Sequence, residues 1–148
     1  VYNTTPKYVN CTIMDNTTKG IYCYNVCGGR SVVLVNTVAC GNAQLGSSPQ
    51  KDAFKTVTNS VVTANAEASQ GFVDTFKGID PKLGTVDGFA YTPLGGSKCK
   101  NNALKLDWMT NETDVCSKDI YGHDRIIGSA PDIGAVERKG YGIMLLVR

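Results

Sequence analysis

Three seven-residue frames, each bounded by asparagine, recur in the first half of the chain: NCTIMDN at residues 10–16, NTVACGN at 36–42 and NSVVTAN at 59–65. They begin 26 and then 23 residues apart. A drifting period in the twenties is the mark of short strands stacked one turn upon the next, with loops of unequal length absorbing the difference. Aligned, the frames put Thr12, Val38 and Val61 in one column and Ile13, Ala39 and Val62 in the next. Adjacent columns point to opposite faces of a strand. Small and β-branched residues at these positions suit a narrow, flat-sided interior. The column of Asn16, Asn42 and Asn65 is expected at a turn, where asparagine tolerates left-handed backbone and its amides can stack.

Residues 21–24 and 31–35 read as further strands, with Gly28 and Gly29 turning the chain between them. Residues 41–55 are polar and rich in Gly, Ser and Pro, and predict a protruding loop. From Gly71 the repeat fades, and residues 79–96 carry turn chemistry: Asp80-Pro81, Gly84, Gly88, Pro93 and Gly95-Gly96. A short helix is expected near residues 102–109, and residues 142–148 read as a final strand.

A length of 148 residues with 42% hydrophobic content allows one domain with its own core. No apolar run approaches the roughly 20 residues of a membrane-spanning helix. The apolar stretch at residues 143–147 is too short even for a signal-peptide core. Because the chain starts at Val1, the expectation is a mature form or a piece of something longer. The net charge of +2 is small, and the densest basic cluster is Lys98, Lys100 and Lys105. Such a surface lacks the stripe that binds nucleic acid.

Six cysteines, Cys11, Cys23, Cys27, Cys40, Cys99 and Cys116, suit a compartment that permits disulfides. Buried free thiols packed as small hydrophobes are the alternative. Zinc sites favour close pairs, and here Cys23 and Cys27 form the one such pair, with His123 the single histidine. No metal site and no cofactor site are therefore expected.

The segment DIYGHDRIIGSAPDIGAVE, residues 119–137, resembles the closing segment of bacterial secreted parallel β-helix proteins. The resemblance is carried by Asp119, Gly122, Arg125, Gly128, Asp132, Ile133, Gly134, Ala135 and Glu137, with Val136 in place of the usual aromatic. The segment at 78–103 and the stretch DWMTNETD at 107–114 are similar to elements that precede this ending, and the Asn frames to the strands of the same proteins. The resemblance implies an all-β, right-handed parallel β-helix (a solenoid) with a loop-rich C-terminal cap. Residues 1–70 would form the coils, and 71–148 the last coil and capping segment of one continuous domain.

A solenoid end exposes apolar side chains and unpaired backbone, and must be covered. Gly128 and Gly134 would let the chain turn tightly across it, and Arg125 could fork onto Asp132 or Glu137 to pin the cap. These three charged residues are read as structural. At the other end no cap precedes the first frame, which suggests that upstream coils or another chain continue the stack.

Parallel β-helices often bind or cleave polysaccharides. Hydrolysis needs paired carboxylates, and lyase chemistry needs a base with a cation beside the uronate. Asp15, Asp52, Asp74 and Asp114 are available, but the Asp15 column continues as Gly41 and Ala64, so no carboxylate ladder forms. Arg30 reads as a solvated loop arginine and His123 as a hydrogen-bonder within the cap. Trp108, Tyr22, Tyr24, Tyr91 and Tyr121 are read as packing residues that can also stack on sugars. The sequons at Asn3, Asn10, Asn16 and Asn111 are taken as accidental. The chain is thus expected to be a non-catalytic binding or structural module, secreted or at the cell surface, with polysaccharide contact. A polysaccharide lyase or glycoside hydrolase with its groove upstream, and an assembly subunit stacking end to end, are the rival readings. No catalytic residue is assigned.

Overall fold

The structure is a computed structural model that describes residues 5–17, 20–21, 32–41, 54–68 and 70–139. The strand predicted at 142–148, most of that at 21–24, and Cys23, Cys27, Arg30, Asn42 and Asp52 lie outside these residues.

Eight short strands come in pairs: β1 (Lys7–Val9) with β2 (Thr12–Met14), β3 (Val32–Val35) with β4 (Val38–Cys40), β5 (Phe54–Thr58) with β6 (Val61–Val62), and β7 (Phe72–Val73) with β8 (Phe76–Lys77). The first members form one sheet in the order β1-β3-β5-β7, and the second members form another in the order β2-β4-β6-β8. All pairings within both sheets are parallel. Thr12 pairs with Val38 and Val38 with Val61, and Ile13, Ala39 and Val62 stack beside them, as the frames predict. The fold is all-β and mostly parallel, with two short 3-10 turns at Asp107–Thr110 and Val115–Ser117 as its helical content among the described residues.

The corner between paired strands is two residues long, and its chemistry repeats. The first residue is Asn10, Asn36, Asn59 or Asp74, with φ of 50, 52, 43 and 45°. A short polar side chain makes this left-handed backbone accessible to a non-glycine residue. The second residue is Cys11, Thr37, Ser60 or Thr75, and each side chain donates back to the carbonyl two residues earlier. The Thr37 and Ser60 hydroxyls also accept the backbone N–H of the preceding corner, from Cys11 and Thr37 respectively. A ladder of hydroxyls thus satisfies backbone that the corner would otherwise bury unpaired.

The alternation along β4 and β6 builds two cores. Ala39 and Val62 point between the sheets, onto Leu34, Phe54 and Val57. Val38, Cys40 and Val61 point the other way, onto Cys99, Ala103 and Ile133 of the C-terminal segment. Covered on both faces, β4 is buried at all three residues, so its sequence is apolar without alternation.

Several expectations are revised. The repeat does not fade at Gly71: β7 and β8 add a fourth pair, with Phe76 on Val61 and Lys77 on Val62. Residues 79–96 hold more than turns, because β9 (Leu83–Val86) and β10 (Phe89–Pro93) form an antiparallel hairpin about Asp87-Gly88, both with positive φ. In place of a helix over 102–109 there is the 3-10 turn Asp107–Thr110. The loop predicted to 55 gives way to strand at Phe54. The trailing left-handed turn falls at Asp15 and Gly41, one residue before the asparagines assigned to it.

Gly134 does not turn across the last strand pair. It lies beside the first ones: its N–H donates to the Asn36 carbonyl (2.9 Å), and a Cβ there would meet Thr12 Oγ1 at 2.8 Å. The C-terminal segment therefore covers the side of the second sheet.

Candidate binding site

The left-handed corners form a column, and the C-terminal segment runs along it. Asn59 Nδ2 donates to the Asn102 carbonyl (3.4 Å). One rung on, Asn36 Nδ2 donates to the Leu104 carbonyl (2.8 Å) while Asn36 Oδ1 accepts the Leu104 N–H (2.7 Å). The segment thus advances two residues per rung. It then leaves: the Leu106 N–H turns to Met109 Sδ, and the 3-10 turn at Asp107–Thr110 begins. Asn10, on the next rung, has no such partner. Its side chain is buried, 6% exposed as a residue, and among the described residues neither amide atom has a hydrogen-bond partner. A buried amide left unpaired is costly, which makes this position unusual.

Asn10 lines a cavity of about 390 Å³, walled by Val9, Trp108 and Ile120 and by the polar residues Asp114, Cys116, Lys118, Asp119 and Arg125. Most of those polar groups are engaged by the protein itself. Asp114 Oδ1 accepts the Cys116 N–H. The Lys118 ammonium pairs with Asp124, whose hydrogen bond raises its pKa. Arg125 donates to the carbonyls of Lys118 (3.2 Å) and Gly134 (2.9 Å), and burial lowers its pKa. Asp119 Oδ1 accepts the N–H groups of Tyr121 and His123, and Oδ2 that of Glu137. Trp108 is half-buried and Cys116 exposed.

The closing motif is a buried scaffold behind this cavity. Asp132 accepts from the backbone of Asn101 and Arg138, and Glu137 from that of Asp132. Arg125 bonds the carbonyls of Lys118 and Gly134 in place of a fork onto Asp132 or Glu137, whose carboxyl groups accept backbone N–H groups. Burial and the nearby Asp132 push Glu137 up to about 9. Burial also raises Asp132. His123 Nδ1 lies 3.0 Å from Asp119 Oδ2, a hydrogen bond internal to the C-terminal segment.

The remaining candidates stay apart. Asp15 and Asp74 are exposed corner residues. Tyr121 accepts the Ala90 N–H and packs on Phe89, centroids 4.7 Å apart, and Tyr91 is exposed. Of the sequon asparagines, Asn10 is buried, Asn16 and Asn111 are exposed, and Asn3 lies outside the described residues. Cys11, Cys40, Cys99 and Cys116 are free thiols. Among the described residues no three His, Cys, Asp or Glu side chains are grouped to hold a metal ion, and no helix is long and apolar enough to cross a membrane. Sequence reasoning singled out Trp108 but missed the unpaired Asn10. The signal for that lay in the asparagine column, but the segment pairing with its other members is distant in sequence.

No protein-family model, no curated protein and no solved structure matches the chain.

Proposed function

We propose that this chain is the closing part of a right-handed parallel β-helix and serves outside the cell, secreted or at the surface, as a non-catalytic binding and structural module that contacts polysaccharide. The solenoid reading is supported by four strand pairs stacking in parallel register with two-residue corners. Right-handedness follows from the strong preference of parallel crossovers for that hand. The bacterial and extracellular parts rest on the resemblance of residues 119–137. The observation that carries the binding role is the cavity of about 390 Å³, lined by the half-buried Trp108 and by polar side chains. An aromatic face with a few fixed polar groups is a common way to hold a sugar ring.

The test is a glycan array combined with product analysis of any polysaccharide bound. Binding without new reducing ends or unsaturated sugars supports the reading. Product release overturns the non-catalytic assignment in favour of a lyase or hydrolase, and no binding at all overturns the glycan contact.

An assembly role has its own support. Among the described residues β1 and β2 each pair with a strand on one side only, leaving a parallel edge for upstream residues or a second chain. Light scattering during size-exclusion chromatography tests it: a discrete oligomer supports stacking, and a monomer at all concentrations contradicts self-assembly.

A further inference from the structure

The two ends of the stack differ. Counted from β1-β2 to β7-β8, the strand pairs make four rungs, and among the described residues the strands of rungs 1 and 4 each pair on one side only. Two columns of side chains point between the sheets. One runs Tyr8, Leu34, Val57, Phe72, and the other Ile13, Ala39, Val62, Lys77. Their middle members, Leu34, Val57, Ala39 and Val62, are fully buried core, and Ile13 and Phe72 pack against it. At rung 4 the second column ends on a charge: Lys77 is exposed, and its Nζ lies 4.8 Å from the centroid of the Phe72 ring in the first column. At rung 1 both columns end on uncharged side chains, the half-buried Ile13 and Tyr8, which is 36% exposed where Leu34 and Val57 are 0%.

A coil stacked on rung 4 would enclose the Lys77 ammonium between the sheets and replace its water with an aromatic face, and an inward-pointing charge of this kind guards a sheet edge against pairing. A coil stacked on rung 1 meets no charge in either column and would cover Tyr8. It would also continue an interface already repeated at three junctions, parallel in both sheets. At the first two of them the N–H of the second corner residue is donated to the hydroxyl of the next rung, from Cys11 to Thr37 and from Thr37 to Ser60. Cys11 itself holds that position on rung 1. We propose that rung 1 is the receiving end of the stack: it takes one further parallel coil, two short strands joined by an Asn- or Asp-led corner with uncharged inward side chains, and Lys77 bars a second copy of this chain from supplying that coil through its rung 4. This rests on the reading of the chain as the closing part of a β-helix, and it removes self-stacking from the occupants of the β1 and β2 edge.

Removing the charge makes the chain's own rung 4 the probe for rung 1. The experiment is sedimentation velocity of the full chain over a range of concentrations, under reducing conditions so that thiols do not crosslink it. The parent is expected to stay monomeric. Lys77→Ile is expected to form an open series of dimers, trimers and longer species that grows with concentration, as a head-to-tail contact that does not close on itself gives. Its association constant should exceed the parent's by at least about tenfold. Adding Tyr8→Lys, which places a cation at the rung 1 end, should return Lys77→Ile to monomer. Thermal unfolding establishes that the variants fold, and Lys77→Met, uncharged and unbranched, takes the same place if Lys77→Ile does not. A parent that forms the series by itself shows that Lys77 bars nothing, and overturns the proposal. So does a folded, uncharged variant that stays monomeric, because rung 1 then refuses a matching coil. A series that persists with Tyr8→Lys lies on another surface and also overturns it. All three results leave the parallel stack standing. Failure of the β-helix reading would show instead as missing nuclear Overhauser cross-peaks between Thr12 and Val38.

Discussion

Asn36 and Leu104, 68 residues apart in sequence, exchange two hydrogen bonds that fasten the C-terminal segment to the stacked strands. The amide of Asn36 acts as a strand edge for one residue. Replacing it with alanine removes both bonds and places alanine at a φ of 52°. Asn36→Ala is expected to cost about 2–4 kcal/mol in chemical denaturation. Asn36→Gly, relieved of the backbone strain, should recover about 1 kcal/mol of that. Equal stability of Asn36→Ala and the parent would contradict the fastening role.

Gly134 and Gly122 form a matched pair for testing how closely the segment lies on the sheet. Both have positive φ, 113° and 83°. A Cβ at Gly134 meets Thr12 Oγ1 at 2.8 Å and Val38 Cγ2 at 3.3 Å, whereas at Gly122 it meets nothing within 4 Å. Gly122→Ala should cost about 1 kcal/mol through backbone strain alone. Gly134→Ala should cost at least about 1–2 kcal/mol more, read as a lower unfolding midpoint.

Glu137 predicts a pH dependence. Its pKa is about 9 in the folded protein against an ordinary 4.5, so the folded state holds the proton more tightly than the unfolded chain. The stability it supports is complete below about pH 4.5 and is lost as pH rises toward about 9. Asp132, also raised, acts in the same sense. Stability should therefore fall by on the order of a few kcal/mol between about pH 5 and about pH 9, read as a lower unfolding midpoint. Glu137→Gln keeps an acceptor for the Asp132 N–H and should flatten the profile. A midpoint that rises over this range would contradict the buried, protonated state.

The thiols should separate by reactivity. Burial pushes Cys40 up to about 11 and Cys99 up to about 12, and both sit in the core beside Ile133. Cys116 is exposed at the cavity mouth. Thiolate is the reactive form. Brief alkylation at mild alkaline pH, read by peptide mass spectrometry, should modify Cys116 and leave Cys40 and Cys99 intact until the protein unfolds. Comparable labelling of all three in the native protein would contradict the packing.

The stack was legible because its register is written in local sequence. Thr12, Val38 and Val61 share a frame, and shifting any strand by one residue would exchange its two buried faces. The fourth rung escaped because its corner residue is Asp74, only 15 residues after Asn59, and it was not aligned with the asparagines. Aspartate also tolerates left-handed backbone, so the physics is the same under a different letter. The hairpin is marked by Asp87-Gly88 between β-favouring residues, but the density of turn residues across 79–96 masks the two strands around it. The candidate site was not legible in this way. Its defining feature is a missing partner, which depends on where the distant segment at 102–106 leaves the column. The Arg125 contacts differ for a related reason: charge suggests carboxylates, but the guanidinium lies against the carbonyls of Lys118 and Gly134, a placement that only the folded segment defines.

The central claim is that successive strands lie parallel and in register, and methyl nuclear Overhauser spectroscopy on selectively labelled protein tests it most directly. Cross-peaks linking Thr12 with Val38, and Val38 with Val61, are predicted, with no direct peak between Thr12 and Val61, two strand spacings or about 10 Å apart. Missing Thr12–Val38 and Val38–Val61 peaks, or close Hα–Hα contacts of the antiparallel kind between β4 and β6, would contradict it.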